Sequence, residues 1–105
     1  MLFANGFWRT ILIKHVVLVK LKNLSDKNRA VEAFYSMKGK IEGLIDLEAG
    51  SDFLGSDRSY DVALVCTFPD KNALQYYQEH PVHQPVKKLM VDIRISSVTC
   101  DYEID

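Results

Sequence analysis

The chain has 105 residues, enough for one domain with a modest core. Apolar residues make up 48% and charged residues 26%, the ordinary composition of a soluble globular domain. Its 13 basic residues against 14 acidic ones leave a net charge of −1, and the basic residues are scattered rather than striped, which excludes a nucleic-acid backbone as the natural partner.

Residues 1–12 contain Phe3, Phe7, Trp8, Ile11 and Leu12 without a basic leader or a continuous apolar run. This matches neither a secretory signal nor a membrane span, and a cytoplasmic protein is the expectation. Ile13–Leu21 (IKHVVLVKL) reads as a strand, with His15, Val17, Val19 and Leu21 on one face. Ser25 offers a helix cap and Asp26 a favourable first-turn charge. Ala30, Phe34, Met37, Ile41 and Leu44 then recur at alternating spacings of four and three, which predicts a helix stopped at Gly43.

Leu44–Phe53 reads as a second strand with a bulge at Gly50, followed by a loop over Gly55–Ser59. Asp61–Phe68 (DVALVCTF) carries the strongest strand signal. Pro69-Asp70 ends it, and Asp70 caps a second helix over Lys71–Glu79. His80 precedes a proline, which disfavours helical geometry there. Pro81 and Pro85 suit the first turn of a further helix reaching Val91, and Ile93–Ile104 forms the last strand.

The order β-α-β-β-α-(α)-β predicts an α+β, ferredoxin-like fold, a four-stranded antiparallel sheet with helices on one face. An uncovered sheet face should be polar, yet the third strand is apolar on both sides and the first is apolar in the middle of both faces. The expected partner is therefore a second copy, sheet facing sheet, in a homodimer. Cys66 and Cys100 lie in apolar segments and read as buried free thiols rather than a disulfide.

Four segments resemble a known family in order: IKHVVLVKL from Ile13, YDVALVCTF from Tyr60, YQEHPVH from Tyr77, and CDYEI from Cys100. The family is the stress-responsive dimeric A/B barrel (Dabb) domain, and the resemblance covers residues 13–104. It implies a domain over residues 13–105 after an N-terminal extension at 1–12, and two sheets that close into a dimeric barrel. One relative is a plant polyketide cyclase, olivetolic acid cyclase, which performs an intramolecular aldol condensation. Its catalytic tyrosine and histidine correspond to Tyr77 and His83, and its first-strand histidine to His15. A further central-strand histidine of that enzyme is Val62 here, a departure from the cyclase pattern.

The candidate catalytic pair is Tyr77 and His83. His83 would act as a base alpha to a carbonyl, or would orient a ligand. Tyr77 would donate its phenolic hydrogen to a developing enolate. The alternative is that His83 braces the helix junction while Tyr77 packs its ring in the core. His15 is either a satisfied core histidine or, with Val17, part of a ligand-binding wall that reaches His83. His80 reads as a backbone choice. A metal at His80 and His83 would need a third ligand from His15, Asp70 or Glu79, and the helix break spoils that spacing, so neither metal nor cofactor is expected. Some relatives hold a magnesium-like cation through backbone carbonyls, which leaves no mark in a sequence. Tyr76, Phe34, Met37, Leu89 and Met90 read as core, and Arg58 and Asp61 as a solvated rim.

Function thus reads as binding of a small apolar or carbonyl-containing molecule between sheet and helices, in a stress response. The alternative is a cyclase-like lyase using the Tyr/His pair. A haem-degrading or quinol monooxygenase rests on shared architecture alone.

Overall fold

The computed structural model describes residues 11–105, so Phe3, Phe7 and Trp8 lie outside the described residues. Strand β1 spans Leu12–Leu21, and a 3-10 turn follows at Leu24–Asp26. Ser25 sits inside that turn instead of capping a helix. Asp26 takes the cap position of α1 (Lys27–Tyr35) without a side-chain hydrogen bond.

Helix α1 is shorter than the apolar spacing predicts. Met37 and Ile41 keep buried positions, but on a run of turns in which Gly39 (φ +77°) and Gly43 (φ +87°) adopt left-handed backbone. Spacing records which residues face the core; it does not require the backbone between them to stay helical.

Strand β2 covers Asp46–Ser51 and β3 covers Val62–Phe68. Their register runs unbroken from Asp46↔Thr67 to Ser51↔Val62, so Gly50 forms no bulge. The shift lies between β1 and the last strand, at Lys20/Leu21. Asp61 is buried, not a solvated rim: its carboxylate accepts the Leu21 backbone N–H at 2.7 Å and lies 4.0 Å from Lys20 Nζ.

Helix α2 (Lys71–Glu79) starts as predicted, with Asp70 Oδ1 accepting from the Ala73 N–H at 2.8 Å. Helix α3 covers His83–Ile93, with Pro85 in its first turn and Pro81 in the turn before it. Strand β4 (Arg94–Ile104) follows without a loop.

The sheet order is β2-β3-β1-β4, every pair antiparallel, which is the ferredoxin-like arrangement. Helix α1 packs over β2 and β3, and α2 over β1 and β3. The core lies between, built on Val19, Leu47, Leu64, Phe68, Met37 and Tyr77, with Phe34 and Met90 beside them. Leu89 packs against this cluster from a half-buried position, whereas Tyr76 is half exposed and not core.

The other sheet face carries Val16 and Leu18 of β1, Ala63 and Val65 of β3, and Val98 and Tyr102 of β4, and no helix among the described residues lies over them. Cys100, opposite Val16, is exposed on this face rather than buried. A strand that reads as apolar does not become core when no layer covers its outer side. Cys66 is buried, and both thiols are free. Among the described residues no helix is long and apolar enough to cross a membrane.

Candidate functional site

The site grows out of the break between α2 and α3. Pro81 has no N–H and holds His80 out of helical geometry, with ψ at 139°. The turn closes through His80: its carbonyl accepts from the His83 N–H at 3.0 Å, and its Nδ1 accepts from the Val82 N–H at 3.0 Å. Tyr76 stands edge-on to the His80 ring at 5.3 Å. His80 is thereby spent on shaping the junction.

That junction places His83 at the first position of α3, directed back at Tyr77 on α2. The rings stack with centroids 4.1 Å apart and planes 23° apart, and His83 Nδ1 donates to the Tyr77 carbonyl at 3.0 Å. This bond fixes the Nδ1–H tautomer and leaves Nε2 with a free lone pair. On its other side Tyr77 meets His15 edge-on at 5.9 Å, and Phe68 at 5.2 Å. Tyr77 is fully buried at the centre of this cluster. Each such ring pair contributes about 0.5–1.5 kcal/mol beyond area burial.

His15 and Val17 reach the site from the helix side of β1. His15 Nδ1 lies 2.5 Å from Asp101 Oδ1 on β4, a pairing set by the register His15↔Asp101. A cavity of about 280 Å³ opens beneath α3, and His15, Val17, Tyr77 and His83 all line it. Val19, Phe34, Leu64, Val86 and Met90 supply apolar wall, while Lys87, Arg94, Ser97 and Thr99 supply polar wall.

Burial sets the protonation of the cluster. It pushes the Cys66 thiol up to about 12 and drives the Tyr77 hydroxyl well above its usual range, with the neighbouring thiol adding to the latter. The two groups are 4.0 Å apart, Sγ to Oη. Burial also lowers His83 to about 4, against the opposing effect of the Tyr77 carbonyl and with help from the positive charge of Lys87. At neutral pH the Tyr77–Cys66–His83 cluster therefore carries no charge. Its one accessible chemistry is that of a neutral imidazole lone pair, a weak base or a hydrogen-bond acceptor for a ligand.

The four residues named from the sequence thus meet at one cavity. Asp101, Cys66, Lys87 and Arg94 were missed. Cys66 gave no signal beyond a buried apolar strand. Asp101 had a faint one: Ser97, Thr99, Asp101 and Glu103 alternate with less polar residues along β4, a pattern opposite to that of β1. Among the described residues no group of three His, Cys, Asp or Glu side chains is placed to hold a metal ion.

Residues 13–104 match the family described as Stress responsive A/B Barrel Domain. An uncharacterized protein of Streptomyces coelicolor is 33% identical over 97 residues, covering 88% of this chain and 99% of its own. Among solved structures, a dimeric protein of unknown function with a ferredoxin-like fold from Bacteroides fragilis aligns with a TM-score of 0.78 at 26% identity, covering 89% of this chain and 96% of that one. The hydroxynitrile lyase of Passiflora edulis aligns with a TM-score of 0.76 over 90% of this chain and 94% of its own; at 13% identity it shares the fold.

Proposed function

We propose, for a chain that belongs to the stress-responsive A/B barrel domain family, that it works as a homodimer binding a small apolar or carbonyl-containing molecule beneath α3. A stress response is the setting that fits the name of the family. The observation that carries the binding reading is the cavity of about 280 Å³, lined together by His15, Val17, Tyr77 and His83. It is near the lower end of ligand-pocket sizes, with an apolar wall from β1, β3 and α3 and a polar wall from β4 and the ends of α3, a mixture that can hold and orient a small molecule. The apolar, helix-free sheet face and the dimeric state of the Bacteroides fragilis structure support the dimer.

Within the site, His83 Nε2 accepts a hydrogen bond from a hydroxyl or enol O–H carried beside the ligand's carbonyl, and Tyr77 sets the orientation of His83 by stacking. A cyclase-like lyase is the second reading. It is favoured by the free Nε2 lone pair of a neutral His83, and disfavoured by the Tyr77 hydroxyl being turned to Cys66. An oxygenase has the shared architecture as its sole support.

A thermal-shift screen of small hydroxycarbonyl compounds against the wild type, Tyr77→Phe and His83→Ala tests this. A ligand should stabilise the wild type by a few degrees, stabilise Tyr77→Phe almost as much, and lose most of its effect on His83→Ala. Equal stabilisation of all three would remove His83 from the site.

A further inference from the structure

The cavity wall is chemically divided, and the division follows from the sheet. Register places Ser97 opposite Val19 and Thr99 opposite Val17, so the helix-side stripe of edge strand β4 is polar where that of β1 is apolar. Helices α1 and α2 lie over the other three strands, and Thr99 remains exposed. Among the described residues the charged side chains on this wall are Lys87, from α3, and Arg94, from the junction of α3 with β4, and no Asp or Glu lines it.

Both cations are held in place without being neutralised. Lys87 Nζ donates to the Gln78 carbonyl at 2.5 Å, and Arg94 Nη1 donates to Ser97 Oγ at 3.1 Å. Among the described residues neither forms an ion pair, and the nearby Asp101 is engaged by His15. Two half-buried, oriented cations beside an apolar chamber favour an anion there, because charge-assisted hydrogen bonds are stronger where water is partly excluded.

We infer that the ligand of this cavity is a carboxylate-bearing amphiphile, its apolar body under α3 and its carboxylate against Arg94 and Lys87. The inference rests on the binding reading above and adds the charge of the ligand to it.

Isothermal titration with octanoate, 1-octanol and octylamine separates the two claims. Octanoate should bind at least tenfold more tightly than 1-octanol, with octylamine weakest. Arg94→Gln and Lys87→Gln should each weaken octanoate severalfold and leave 1-octanol unchanged, and the double variant should erase the preference. Circular dichroism verifies folding, and Arg94→Lys, which keeps the charge, should retain most of it. Binding of 1-octanol as tight as that of octanoate, or a preference that survives in the double variant, would overturn the carboxylate assignment and leave the cavity reading standing. Absence of binding by all three probes would overturn both.

Discussion

His83 sits where burial and hydrogen bonding pull its basicity in opposite directions, and burial wins. Its folded-state pKa of about 4 lies below the ordinary 6.5, so between these values the unfolded chain binds more protons than the folded one. The stabilisation from keeping His83 neutral is complete above pH 6.5 and is lost as pH falls from 6.5 to 4, reaching about 3 kcal/mol at most. Urea denaturation at pH 7, 5.5 and 4.5 should show the wild type losing more stability than His83→Gln over that span. Parallel losses would mean that the imidazole is more solvated than its 8% exposure indicates. Tyr77 and Cys66 add nothing to this titration, since both stay protonated far above neutrality.

Between elements, the tightest constraint is the approach of the post-α1 turns to α2. Gly43 combines φ +87° with a position where an added Cβ would lie 3.0 Å from Ala73 Cβ; Gly39, at φ +77°, has open space around it. Gly39→Ala should therefore cost about 1 kcal/mol, the conformational penalty alone, and Gly43→Ala clearly more because α2 must also shift. Chemical denaturation of the two variants reads the difference, and equal costs would show that α2 gives way freely. A displaced α2 would also move Tyr77, which ties this turn to the cavity.

For the whole molecule, the governing fact is a four-stranded sheet with helices on one face and apolar side chains on both. Burying a few hundred Å² of that open face contributes several kcal/mol at about 25 cal/mol per Å², before association costs. Light scattering at micromolar concentration should give the mass of two chains. Leu18→Glu, at the middle of the open face, should reduce it to one while leaving the helix-side core untouched. A wild-type mass of one chain would refute the dimer.

The sequence by itself determined the strand and helix order, the Asp70 cap and the junction at His80-Pro81, because each depends on local preferences written in adjacent residues. It also determined that the sheet would be apolar on both faces, since strand alternation has a fixed period of two. It misjudged α1, whose apolar spacing continues through turns, and Cys100, whose burial depended on a covering layer rather than on neighbours in the chain. The tertiary structure decided which side chains meet at the cavity. Register set Asp101 against His15, the fold of α3 onto α2 set His83 on Tyr77, and burial settled which of these groups carry charge. Such contacts join residues far apart in sequence, and their energies exist only once the chain has closed around them.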